Sequence, residues 1–208
     1  MSSLKPIIFV LLISLMFAVS ALGQSPQPQD TTPIPASPAK PLVDQAVPAG
    51  WVRYQMGNRP YLSAIFPEVP QASAEKNATS GGVTNIYLAT SDAGVFVAAR
   101  FDGIVGGTVG DEKQDRFFKQ FVTGFAKGFK ESLTAKGFNA DLQFTESKKI
   151  SIGSGQNGFQ QDMTLGPFKG RAQIAFVDSS GFAIVSMWSS TTPASVPEEF
   201  FKSFRITP

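Results

Sequence analysis

The sequence predicts an α+β domain, mainly antiparallel β-strand with one long and one short helix. Three observations predict it. Between Trp51 and Phe101 apolar residues come in short runs broken by turn residues. From Asp111 to Lys136 the period becomes helical, with Phe117, Phe121, Phe125, Phe129 and Leu133 every four residues. From Leu142 onward strand-like runs return, and a short helical segment closes the chain.

The elements follow in order. Met1–Gly23 reads as a secretory signal: Lys5 gives a short positive start, Ile7–Val19 is apolar but for Ser14, and Ala21-Leu22-Gly23 places small residues at a cleavage site before Gln24. A spanning helix needs about 20 apolar residues, and this run is shorter. Residues 24–49 read as a disordered linker, with seven prolines among Gln, Thr, Ser and Ala. A single domain is expected over residues 50–208.

Trp51–Met56 and Tyr61–Phe66 read as strands joined by Gly57-Asn58-Arg59-Pro60, and Pro67 and Pro70 end the second. Gln71–Gly82 reads as a polar stretch. Val83–Thr90 and Val95–Phe101 bracket Ser91-Asp92-Ala93-Gly94 as a hairpin, and the second strand, apolar on both faces, is expected to be central. Gly103–Gly110 is a glycine-rich connection. The helix over Asp111–Lys136 carries Phe118 and Val122 beside its stripe and Lys119, Lys127 and Lys130 outside it, so the stripe is expected to face a core. Gly124 and Gly128 cost about 1 kcal/mol each against Ala, which close packing would offset.

Leu142–Ile152, Gly158–Leu165, Arg171–Asp178 and Phe182–Ser189 then read as a meander. Alternation in Phe159–Leu165 predicts one wet face, and Phe182–Trp188 is expected to be central. Val196–Phe204 is the short helix.

Composition excludes much chemistry. Without the signal, seventeen Lys and Arg stand against sixteen Asp and Glu, so no long-range charge draws nucleic acid or an anionic membrane. No cysteine is present, so a core alone must hold the domain. Histidine is absent too, which removes Ser-His-Asp and Cys-His sites, imidazole-bound metals and the usual neutral-pH proton shuttle.

Gly153-Ser154-Gly155-Gln156-Asn157-Gly158 spells G-x-G-x-x-G, with Asp178 twenty residues beyond. That pattern holds a dinucleotide only where a helix follows, and here a period-two segment follows, so a hairpin loop is expected. Asp102, Asp162 and Asp178 are the carboxylates that could act as a hydrolytic pair, but turn chemistry or surface exposure accounts for each. Trp51, Tyr87, Trp188 and Arg171 could line an aromatic surface, with core packing the favoured reading. Catalytic, cofactor-binding and metal-binding residues are therefore assigned to none.

Tyr61-Leu62-Ser63-Ala64-Ile65-Phe66-Pro67-Glu68-Val69-Pro70, a strand ending in Phe-Pro-x-x-Pro, is similar to the entry segment of exported bacterial domains with the PsbP-like fold. The hairpin, long helix, meander and terminal Phe200-Phe201-x-Ser203-Phe204 extend the resemblance over about residues 50–208. It implies an antiparallel sheet between helices, an α/β/α sandwich shared by the photosystem II subunit PsbP and a Ran-binding import factor, and a non-enzymatic role. The resulting expectation is a secreted or periplasmic binding or assembly module of the cell envelope, with an envelope protein or small ligand as partner, no cofactor, and no membrane insertion once the signal is removed. The alternatives are a carboxylate-dependent hydrolase of envelope glycans and a spacer without a ligand.

Overall fold

The computed structural model describes residues 31–43, 47–77, 81–103, 112, 114–121, 123, 134, 141–152 and 155–207. The strands are β1 (Thr31–Ile34), β2 (Lys40–Leu42), β3 (Val52–Met56), β4 (Tyr61–Phe66), β5 (Gln71–Asn77), β6 (Val83–Ser91) and β7 (Gly94–Asp102), then β8 (Leu142–Phe144), β9 (Lys148–Ile152), β10 (Gln156–Leu165), β11 (Phe168–Val177), β12 (Ser180–Ser189) and β13 (Arg205–Thr207). Residues 114–121 form helix α1, and Ser195–Ser203 form α2. The chain is α+β and mostly antiparallel sheet, as its periodicities predict.

Nine strands make the larger sheet, in the order β1-β5-β6-β7-β12-β11-β10-β8, with β9 also on β10. β7 and β12 pair at its centre, Val97 opposite Val185. Both are buried on both faces except near their ends, which is why they read as unbroken apolar runs. β10 alternates buried Phe159, Met163 and Leu165 with half-buried or exposed polar residues, so its second face is the wetter one. The hairpins form where turn residues predict them.

One face of this sheet (Ile86, Val97, Phe101, Ile174, Val185) meets the phenylalanines of α1. Phe101 lies 6.0 Å from Phe117 and 5.8 Å from Phe121, and Phe118 stacks on Phe159 at 4.9 Å. The expected stripe therefore faces the core at Phe117, Phe118 and Phe121. Its continuation through Phe125, Phe129 and Leu133, with Val122, Lys127, Lys130, Gly124, Gly128 and the connection 104–110, lies outside the described residues. So do the signal, residues 24–30 and the stop at Gly137.

The other face carries more than the expected short helix. A second, four-stranded sheet, β13-β4-β3-β2, packs there together with α2. Phe200 of α2 sits 5.6 Å from Phe66 and 5.1 Å from Phe96, tying small sheet, helix and large sheet into one core. This sheet has no local signature, because β13 reaches β4 across most of the chain.

Three further differences have physical causes. Part of the proline-rich stretch is strand: β1 pairs with β5 and β2 with β3. Both are short edge strands, where a proline whose nitrogen faces away from the partner strand removes no ladder bond. The polar stretch supplies β5, whose small Ala and Ser side chains give almost no alternation to read. Leu142–Ile152 is two strands rather than one. At the break Thr145 turns its N–H and hydroxyl onto the Asp162 carbonyl, at 3.1 and 3.2 Å.

Candidate functional site

The charged residues on the second face are mostly consumed in holding elements together. Arg100, 6% exposed, grips both Asp102 oxygens at 2.7 and 2.8 Å. It also donates to the carbonyls of Asn58 and Pro60, the latter at 2.7 Å, fastening the β3–β4 turn onto the large sheet. Its guanidinium lies over Phe182, 5.5 Å from the ring centre. Ser180 donates to Asp102 at 2.7 Å, joining β12 to the same carboxylate. Tyr87 is wholly buried beside this cluster. Its hydroxyl lies against the Gly57 backbone without a hydrogen bond of regular geometry, and burial raises its pKa above 10.0.

A second lock binds α2. Arg171 meets Asp162 at 2.6 Å and Glu198 at 2.7 Å while stacking over Phe201 at 5.3 Å. Burial works against the guanidinium charge, but hydrogen bonds and attraction to both carboxylates outweigh it and raise the pKa. Gln160 and Gln173 extend the cluster, 3.0 Å apart.

The expected acids thus do not assemble into a hydrolytic pair. Asp102 on β7 and Asp162 on β10 stand three strand spacings apart, on the order of 14 Å across the sheet, and are further offset along the strands, where Asp102 lies in the row of Ser180 and Asp162 in that of Arg171. Asp178 occupies the β11–β12 turn at φ 51°. Among the described residues no three Asp or Glu side chains converge as metal ligands. The G-x-G-x-x-G segment leads into strand β10. Its glycines have other reasons: Gly155 sits at φ +104°, and a Cβ on Gly158 would lie 2.4 Å from the Ile174 carbonyl. Gly153 and Ser154 lie outside the described residues. Trp51 packs edge-on against Phe96 at 5.1 Å, and Trp188, partly buried, packs against the same core.

Concave charged surface appears elsewhere, on the outer side of the small sheet. A groove of about 510 Å³ runs across β3, β4 and β13 beside the end of α2. Ser63 and Ile65, 7% and 2% exposed, form its floor. Arg53, Lys202 and Arg205 rise around it against one carboxylate, Glu199. The terminal Phe200-Phe201-x-Ser203-Phe204 pattern builds this corner. Ser203 donates to the Phe200 carbonyl at 2.6 Å and accepts the Ile65 N–H at 3.0 Å, welding α2 to β4. Arg53 donates to the Ser203 carbonyl at 2.7 Å, and Arg205 to those of Lys202 and Phe204 at 2.5 and 2.8 Å. The guanidinium groups thereby satisfy the open carbonyls of the helix end and are held in place by them.

Sequence reasoning did not single out Arg53, Lys202, Arg205 or Thr207. In the chain the three cations are ordinary charges of a near-neutral protein, and the pairing of β13 with β4 brings them and Thr207 to one groove. The terminal Phe-x-x-Ser-Phe was the one local sign of this corner.

Among the described residues no helix is long and apolar enough to cross a membrane. Neither a protein-family model nor a curated protein sequence matches this chain. The fold is similar to the solution structure of cyanobacterial PsbP (CyanoP) from Synechocystis sp. PCC 6803, at 8% identity and a TM-score of 0.43, covering 79% of this chain and 97% of that one.

Proposed function

We propose that this protein is an exported, non-enzymatic binding or assembly module of the cell envelope that works through the groove on its small sheet. The observation that carries the reading is the division of its charged side chains. Arg100, Asp102, Arg171, Asp162 and Glu198 are paired as fasteners between elements, whereas Lys202 and Arg205 stand exposed around a concave surface. The separated carboxylates give a glycan hydrolase no support. Export rests on the Met1–Gly23 pattern, and the partner is an envelope protein or a small ligand. The finer fold, a long helix over Asp111–Lys136 in a PsbP-like α/β/α sandwich, belongs to this proposal; the packed phenylalanines of α1 support it.

The test is retention. Immobilised protein should hold a component of an envelope extract, and Thr207→Trp, which fills the exposed rim of the groove, should release it without lowering the unfolding temperature. Turnover of an envelope glycan with no retained component would overturn the reading.

A further inference from the structure

Part of the proline-rich stretch closes both sheets. β1 lies on β5 at the outer edge of the large sheet, and β2 lies on β3 at the outer edge of the small one. Residues 35–39 carry the chain from one edge to the other. Beneath this strap, β5 and β3 each hold a row of backbone N–H and C=O groups that would otherwise form an open edge, ready to pair with another strand.

The strap is held more weakly than its neighbours. The β3–β4 turn and α2 are fixed by Arg100 and Arg171. No residue from 32 to 43 is buried. Ala39 packs, half-buried, against the second core, while Leu42 and Val43 are exposed. Segments with so little buried apolar surface open first, at a free energy well below that of global unfolding.

Release leaves the strap in a usable shape. Pro33, Pro35, Pro38 and Pro41 fix φ at about −65° and bias the residues before them to extended backbone. A released strap therefore keeps the form that the edges accept, so seating it again, on its own domain or on another, costs little order. Its sequence suits those edges, because it occupies them already. Exchange of an identical element between copies replaces each contact by its equal. Residues 43–51 reach at most about 30 Å when extended, enough for the strap to cross to a neighbouring copy.

We propose that residues 31–42 are a releasable strap, and that the edges beneath it, on β5 and β3, bind the strap of a second copy of this chain. This interface lies at the edge of the small sheet opposite β13, and it does not depend on the groove binding a partner.

The experiment exploits the absence of native cysteine. Thr32 and Lys76 are register partners on β1 and β5. Full chains carrying Thr32→Cys alone and Lys76→Cys alone are mixed, held concentrated below the unfolding temperature, and oxidised. A disulfide between the two different variants is favoured only where the strap of one lies on β5 of the other. It should exceed the same-variant disulfides, which collision produces, severalfold, and dilution should reduce it. Mixed and same-variant products in statistical proportion, or no mixed product, would overturn the proposal. A second measurement reads release itself. The chain carrying both Thr32→Cys and Lys76→Cys has its strap pinned when oxidised and free when reduced. A fluorescent synthetic peptide of residues 31–42 should bind the reduced form saturably and the oxidised form roughly tenfold more weakly or less, because the pinned strap keeps the edges filled. Equal binding to both forms, or binding to neither, would also overturn it.

Discussion

The two faces of the large sheet are buried by different means. Toward α1 the packing is almost wholly apolar, phenylalanine on phenylalanine, and among the described residues Thr84 and Gln161 are that face's buried polar side chains. Toward the small sheet and α2 an equally apolar cluster surrounds Arg100, Asn85 and Ser186, with the Arg171 lock at its edge. The contrast teaches what each kind of contact does. Apolar burial supplies most of the stability but tolerates sliding. A guanidinium fixed to a carboxylate and to named carbonyls accepts one arrangement, which suits a small sheet that must sit in register to form a groove.

Mutations can break or sharpen that contrast. The largest loss should come from the apolar face: Phe101→Ala, which leaves a void among Phe117 and Phe121, should cost about 3–5 kcal/mol in denaturant unfolding. Arg100→Leu should cost about 3 kcal/mol, because it strands Asp102 and the turn carbonyls. Adding Asp102→Leu should recover part of that loss, whereas strict additivity of the two changes would show that the pair is no lock.

Arg171→Met should cost less, about 1 kcal/mol. Its carboxylate partners are 31% and 44% exposed, so solvent screens the pair, and the cost should shrink further in molar salt.

The smallest effect should be favourable. Tyr87→Phe removes a buried hydroxyl that lacks a regular partner and should be neutral or stabilising by up to about 1 kcal/mol. It should also alter the alkaline limb. The raised pKa of Tyr87 means the folded state holds the phenol proton more tightly than the unfolded one. That contribution is full below pH 10.0 and is lost as pH rises toward the folded value. Wild type should therefore lose stability above pH 10.0 more steeply than Tyr87→Phe. Parallel alkaline limbs would show that Tyr87 ionises as freely in the folded protein as in the unfolded.

Much of the fold was legible wherever pattern and burial are local. The runs in β7 and β12, the alternation in β10 and the phenylalanine spacing of α1 each state which face is covered. β5 was illegible because Ala and Ser make a strand without contrast. β1 and β2 were hidden because prolines at a sheet edge look like prolines in a linker. The site was less legible still. Arg100 and Arg171 are ordinary strand residues until their partners across the sheet are known.

By itself the sequence determined composition and period: a domain without histidine or cysteine, mainly antiparallel strand, with a helix whose phenylalanines need a core. Those are properties of neighbours along the chain. The tertiary structure alone decided that β13 returns to β4, that α2 ends beside them, and that Arg53, Lys202 and Arg205 share one groove. Pairing between strands some 140 residues apart depends on which surfaces remain uncovered once the local elements have formed, and no window of sequence contains that information.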